Sequence, residues 1–282
     1  MAADRVVRRS AAQAADGAET RRPPDRLADG PVVLRETCVA DPAVPRMELT
    51  EWASRYGIVA GVTTRGHGFS LGLWTEEPVG QVITRWRAFR AAMRGSFPAQ
   101  VLSHQVHGTE VRWHDRTANG ADWLILDGAD GHATTVPGLL LTITVADCIP
   151  IYLAVPDKGA IALLHAGWRG TAGRILERGV EVLTRQASSP ASDIVMHCGV
   201  GICGSCYEVG SEVTQQLGTY ASKASAHVDL RGVLATQAAE LGIGVVTVSP
   251  WCTAHDRAQF FSHRASGGTD GRQVAYLGRP IA

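Results

Sequence analysis

Three short segments concentrate reactive side chains beside glycines: Ser103-His104-Gln105-Val106-His107-Gly108, Thr144-Val145-Ala146-Asp147-Cys148 and His165-Ala166-Gly167-Trp168-Arg169-Gly170. Each falls at the end of a β-rich run or in the turn after it, where side chains are held rigidly yet stay accessible. Brought together, His107, Cys148 and His165 make a His2Cys set suited to Zn2+. Three protein ligands leave a fourth position for water or substrate, the catalytic rather than the structural arrangement. Two other readings use the same residues. Cys148 is a small buried hydrophobe with both histidines satisfied by ordinary hydrogen bonds, or it is a nucleophile with His165 or His107 as its base. Separations of 41 and 17 residues match no compact ligand motif, so spacing leaves all three readings open. Asp147, beside the cysteine, can orient a metal-bound histidine, accept a substrate proton, or cap backbone donors at a strand end.

A second constellation is Cys198-x4-Cys203-x2-Cys206 with Cys252 as a fourth thiol. Its spacing matches a plant-type [2Fe–2S] site, and Cys203-x2-Cys206 alone matches a redox pair. A glycine-rich turn of small residues explains the same cysteines as packing groups. Cys38, Cys198 and Cys203 carry no assigned role. Arg65, Arg169 and Arg264 offer planar donor forks for phosphate or carboxylate. With Ser70, Gln105 and His263 they form the expected substrate-contacting set, and His104 is read as a supporting residue.

The elements that must position these groups are legible as alternating runs. Ile58 to Thr63, Glu110 to Trp113, Leu139 to Val145, Ile149 to Val155 and Ile161 to His165 predict strands, as do Ile194 to Cys198, Gly244 to Val248 and Gln273 to Leu277. Helical periodicity predicts helices over Val82 to Met93, Ala172 to Arg185, Val209 to Leu217 and Leu230 to Leu241. The order implies an α+β class, a single-domain α/β sandwich with helices covering a central mixed β-sheet core. Residues 1–45 read as a flexible N-terminal extension, with Val32 to Leu34 laid on the body as an edge strand, and residues 46–282 as the catalytic domain.

The chain has 282 residues, 27 basic and 27 acidic, so no general field favours a nucleic-acid partner. The longest apolar segment, Leu139 to Val155, is interrupted by Asp147 and Pro150, and the first residues hold no signal-length apolar run. Six cysteines in such a chain suggest reduced thiols or metal ligands in a cytoplasmic protein, without membrane attachment.

Gln105-Val106-His107-Gly108, the Thr144-to-Cys148 run and His165-Ala166-Gly167-Trp168-Arg169-Gly170 resemble the three signature segments of the bacterial laccase-domain family. Tyr207-Glu208-Val209-Gly210, Asp229-Leu230, Cys252-Thr253, Phe260-Phe261-Ser262-His263-Arg264 and Gly271-Arg272 extend the resemblance in family order from about residue 58 to 277. That family was first labelled multicopper polyphenol oxidase and is now regarded as zinc-dependent purine nucleoside phosphorylases with adenosine deaminase activity. The resemblance implies an α/β sandwich, zinc held by His107, Cys148 and His165, and phosphorolysis or deamination of purine nucleosides. It also implies a small-molecule substrate and phosphate as partners. A single His2Cys set cannot by itself build a multicopper cluster, which favours zinc over copper.

Departures from the family pattern fall in the substrate-facing loops. The chain reads Thr64-Arg65-Gly66-His67-Gly68-Phe69-Ser70-Leu71-Gly72, a shorter loop with Ser70 in place of an Asn. It also has Ile83-Thr84-Arg85, Gly199-Val200 and His263-Arg264-Ala265 where the family usually has Glu-Asn-Arg, Gly-Pro and Tyr-Arg-Arg. The alternative is therefore a diverged member acting on another heteroaromatic molecule, oxidatively or as a Cys-dependent hydrolase. A further one is an accessory binding protein that kept the metal and lost turnover.

Overall fold

The computed structural model describes residues 31–115, 122–219 and 224–281. The proposed flexible extension falls mostly on residues 1–30, outside the described residues. Among the described residues, fourteen strands form two seven-stranded mixed sheets. The first runs Val32–Val33, Val245–Val248, Val195–Cys198, Ile149–Val155, Ala160–Ala166, Gly131–Thr134, Val111–His114. The second runs Thr37–Cys38, Arg46–Glu48, Val59–Thr63, Gln273–Gly278, Leu139–Val145, Ala99–His104, Trp123–Asp127. The α/β class stands as expected, with two packed sheets in place of one central sheet.

Strand periodicity explains the layering. In Leu139–Val145, the side chains of Leu139, Leu141, Ile143 and Val145 join Tyr152, Leu163 and Ala275 between the sheets. Leu140 faces the other way, against Trp86, Phe89 and Met93 of helix Val79–Met93. Ile149, Ile151 and Leu153 likewise pack under helices Ile175–Ala187 and Leu230–Glu240. These strands are largely apolar, apart from Thr142 and Thr144, because both of their faces are covered. The predicted helix from Ala172 to Arg185 is two, Trp168–Ala172 and Ile175–Ala187, separated where Arg174 takes a left-handed φ of 66°. Among the described residues no helix is long and apolar enough to cross a membrane.

Three parallel neighbours in the second sheet, Leu139–Val145, Ala99–His104 and Trp123–Asp127, place their C-terminal ends at one end of the sandwich. From each of these ends the chain crosses into the first sheet: at 105–110 to Val111–His114, at 128–130 to Gly131–Thr134, and at 146–148 to Ile149–Val155. These three crossovers carry His107, Asp130 and Cys148.

Within the stretch assigned to the extension, Val32–Val33 forms the expected edge strand, parallel to Val245–Val248. Glu36 is buried, its carboxylate accepting from Ser249 Oγ at 2.7 Å and lying 3.1 Å from His197 Nε2. Glu36→Ala leaves both groups without their carboxylate in the interior, where each orphaned polar group costs about 1–3 kcal/mol. The expected loss is about 3 kcal/mol, read as a lower urea midpoint with an unchanged denaturant slope. An unchanged midpoint contradicts it.

Candidate metal centre

The three crossovers and the end of Ala160–Ala166 converge. The donor atoms of His107, Cys148 and His165 all lie within 4.8 Å of one another, and the two imidazole centroids are 4.8 Å apart at 72°. Gly167 is required here: a Cβ at that position would sit 2.9 Å from Cys148 Sγ and 3.2 Å from His107 Cδ2. Two residues of the site, His107 (φ 58°) and Asp147 (φ 87°), are held in left-handed backbone conformations. For residues other than glycine these cost about 1–3 kcal/mol and persist only where surrounding bonds enforce them.

Asp130 supplies those bonds for His107, and the sequence alone did not single it out. Its fully buried carboxylate accepts from the backbone N–H groups of Val106 (3.2 Å), His107 (2.9 Å) and Gly108 (2.7 Å). It also lies 2.9 Å from His165 Nδ1. One carboxylate thus shapes the His107 loop and fixes the His165 ring, leaving Nε2 as the free donor. Burial alone would raise the Asp130 pKa, but the His165 contact and the backbone donors hold it below the usual carboxylate value. In the metal-free chain burial opposes ionisation of the Cys148 thiol, yet the facing histidines, His165 foremost, bring its pKa below that of an ordinary thiol. His165 is raised correspondingly by Cys148 and Asp130, against its own burial. A thiolate, two imidazoles and a carboxylate behind one imidazole form a donor set chemically suited to zinc with one open coordination position.

Asp147 has a different task from Asp130. Its two carboxylate oxygens accept from Thr253 Oγ1 and from the Arg264 backbone N–H, both at 2.6 Å. It is Asp130, not Asp147, that orients the histidine.

Cavities of about 250 and 300 Å3 adjoin the triad, and His107, Cys148 and His263 line both. The smaller is also lined by Arg169, Arg264, Trp168 and Tyr207. Its guanidiniums are stacked, Arg169 over Trp168 at 4.4 Å and Arg264 over Tyr207 at 5.1 Å. Burial, with Cys148 nearby, pushes the Tyr207 phenol up to about 12, so it stays a neutral donor at pH 7. The larger cavity includes Trp74, His104, Gln105 and Thr144. Trp74 is 44% exposed and its ring lies 4.8 Å from that of His104, a tilted aromatic pair on the cavity wall. Gln105 is fixed by Thr144, donating to its carbonyl at 2.8 Å and accepting from its N–H at 2.8 Å and its hydroxyl at 2.9 Å.

Two of the expected substrate contacts lie elsewhere. Arg65 is ion-paired with Asp270 at 3.1 Å and stacked on Phe261, while Ser70 is buried with its hydroxyl bonded to Glu77. Neither lines these two cavities. The four-cysteine grouping is also rearranged. Cys198 is buried in its strand, with its thiol pushed up to about 12 by that burial, while Cys203, Cys206 and Cys252 converge with His255 instead.

Residues 58–280 match the family model described as multi-copper polyphenol oxidoreductase laccase. The purine nucleoside phosphorylase YlmD of Geobacillus stearothermophilus is 33% identical over 256 residues, covering 79% of this chain and 90% of that protein. Adenosine deaminase RL5, from an unknown prokaryotic organism, is 32% identical over 191 residues, 61% of this chain and 72% of that one. The crystal structure of YlmD from Geobacillus stearothermophilus superposes with a TM-score of 0.79 at 28% identity, covering 87% of this chain and all of that one. Matched along nearly its whole described body, in sequence and in fold, the chain belongs to the multi-copper polyphenol oxidoreductase laccase family.

Proposed function

We propose that the chain is a zinc-dependent enzyme of purine nucleosides, cleaving the glycosidic bond with phosphate or deaminating adenosine with water, with His107, Cys148 and His165 as the metal ligands. The observation that carries this reading is that the triad borders two cavities, one lined by Arg169, Arg264 and Tyr207 and the other by Trp74, His104 and Arg272. When bound, zinc supplies Lewis acidity that activates an oxygen nucleophile.

The chain's own residues do the rest. Arg169 and Arg264, their guanidiniums stacked and so limited in rotation, hold the phosphate on the Tyr207 side. The Tyr207 hydroxyl, neutral at pH 7, donates to the anion. On the other side the exposed faces of Trp74 and His104 stack on the flat purine. Asp130 keeps His165 in one tautomer and His107 in one backbone conformation, so neither must reorganise during the reaction.

The test is product analysis of adenosine and inosine incubated with the holoenzyme, with and without phosphate. Phosphorolysis gives free base and ribose 1-phosphate only when phosphate is present; deamination gives inosine from adenosine regardless. A holoenzyme that yields neither product contradicts the proposal. Arg169→Met should raise the KM for phosphate about tenfold or more, since one charge-assisted bond of about 1.5–3 kcal/mol is lost. The KM for the nucleoside should stay close to wild type, and equal rises in both contradict the division of the two cavities.

A second reading rests on the Cys148–His165 pair, whose mutual stabilisation of thiolate and imidazolium in the metal-free chain is that of a cysteine nucleophile. Rapid alkylation of Cys148 in protein saturated with zinc favours that reading. Protection from alkylation favours the metal.

A further inference from the structure

The second convergence of thiols has the geometry of a different kind of site. Cys203 precedes and Cys206 ends the short turn Gly204–Cys206, and Cys252 and His255 lie in the turn that follows Val245–Val248. Sequence separates the two pairs by more than forty residues, but one ligand atom from each of the four residues lies within 4.8 Å of all the others. His255 Nδ1 lies 3.6 Å from Cys203 Sγ and 3.7 Å from Cys206 Sγ. A tetrahedral zinc with Zn–S bonds of about 2.3 Å places its donors roughly 3.5–3.8 Å apart, so the four groups need only small adjustments to close on one ion.

The backbone is built to hold them. The Cys203 N–H donates to Cys252 Sγ at 3.3 Å, the kind of contact that stabilises a thiolate ligand. Gly201 and Cys252 form a parallel bridge, and Thr253 N–H donates to the Gly201 carbonyl at 3.1 Å. Asp256 closes the second turn, accepting from Cys252 N–H at 2.9 Å and donating its own N–H to the Cys252 carbonyl at 2.8 Å. Buried Arg231 clamps both loops by donating to the carbonyls of Gly201 (2.9 Å) and Trp251 (2.6 Å). The spacing is then Cys-x2-Cys with Cys-x2-His, the paired short-range pattern of a closed zinc site. A [2Fe–2S] cluster is disfavoured because Cys198 is held apart in its strand and the four donors converge on a single point.

We propose that Cys203, Cys206, Cys252 and His255 form a second metal site that binds Zn2+ with four protein ligands. Unlike the triad it has no open position, so its role is structural: it staples the 201–206 loop to the 252–256 turn. Both loops also touch Asp147, beside Cys148. Ile202 N–H donates to the Asp147 carbonyl at 2.8 Å, and Thr253 Oγ1 donates to its carboxylate at 2.6 Å. The staple therefore supports the wall from which Cys148 projects. This inference concerns residues outside the triad and stands whichever substrate the enzyme takes.

The experiment counts metal per chain in full-length protein expressed with zinc and purified under reductant. Wild type should carry about two zinc ions, Cys148→Ala about one, and Cys148→Ala combined with Cys206→Ser about none. Cys148→Ala leaves the second site untouched, so the same variant loaded with Co2+ should show the intense thiolate-to-cobalt absorption of a tetrahedral site. That measurement decides the matter even where Cys206→Ser fails to fold, and the exposed His255→Ala should weaken the cobalt spectrum in a folded protein. Four outcomes overturn the site: Cys148→Ala with no metal, zinc unchanged by Cys206→Ser, iron in place of zinc, or a Cys203–Cys206 disulfide in the reduced preparation.

Discussion

Cys148→Ala should lower phosphate-dependent cleavage or deamination of purine nucleosides by at least about 1000-fold while leaving the protein folded. Activation of the nucleophile by the metal is worth several kcal/mol, and about 4 kcal/mol corresponds to about 1000-fold in rate. The side chain is only partly buried and sits in a turn between sheets, so its removal opens little cavity in the core. Thermal unfolding should shift little beyond the stability lost with the ion itself, whereas the rate should collapse. The measurement is kcat/KM for adenosine and inosine on variant protein whose circular dichroism matches wild type. Retained turnover in a variant that binds no metal at the triad contradicts the mechanism.

Asp130→Asn should be the most damaging substitution outside the ligands themselves. The carboxylate serves only as an acceptor, for three backbone N–H groups and the His165 Nδ1 position. An amide brings two donor hydrogens into that shell, so at least one donor faces another and the His107 loop loses a bond that enforces its left-handed backbone. Removing the ionised partner from a buried, fully bonded group costs about 3–5 kcal/mol. Zinc affinity at the triad should fall by about 10–100-fold, as expected when the residue orienting a metal-bound histidine is changed. Competition with a chelator measures the affinity and urea unfolding measures the stability. A folded Asp130→Asn protein with wild-type zinc affinity contradicts the role assigned to this carboxylate.

The triad's residues are legible in the sequence because each stands close to a glycine or an aspartate in a short signature segment, with Cys148 just after one apolar strand and His165 near the end of another, while the family resemblance singles out the metal reading. Leu139–Val145 and Ile149–Val155 are continuous buried runs, so their ends, and Cys148 between them, are plain. Asp130 was not, because Gly131–Thr134 is four residues of mixed character, and the carboxylate's partners lie more than twenty residues away. The strand Ala99–His104 escaped for a related reason: its run holds Gln100 and Ser103, polar groups whose burial only the sheet explains. The thiol grouping was half legible. Cys203, Cys206 and Cys252 were grouped correctly, but Cys198 took the place of His255 because proximity in sequence favoured it, whereas strand geometry turns Cys198 into the core.

Arg65 and Ser70 teach the complementary lesson. Arg65 is expected at the substrate for its guanidinium and Ser70 for standing where the family has an Asn. In three dimensions Asp270 and Glu77 engage their polar groups, away from both cavities. Trp74, which does line a cavity, carries no signal of charge or metal affinity, and Tyr207 stands in a segment of the family resemblance that by itself assigns it no role.

The most direct test of the metal centre is an anomalous difference map recorded at the zinc edge from crystals of the holoprotein. The expected result is a peak within bonding distance, about 2.0–2.3 Å, of Cys148 Sγ, His165 Nε2 and a ring nitrogen of His107, with Asp130 still on His165 Nδ1. No anomalous peak among these three side chains in zinc-replete crystals, or one bonded to Asp147 in place of His165, would contradict it.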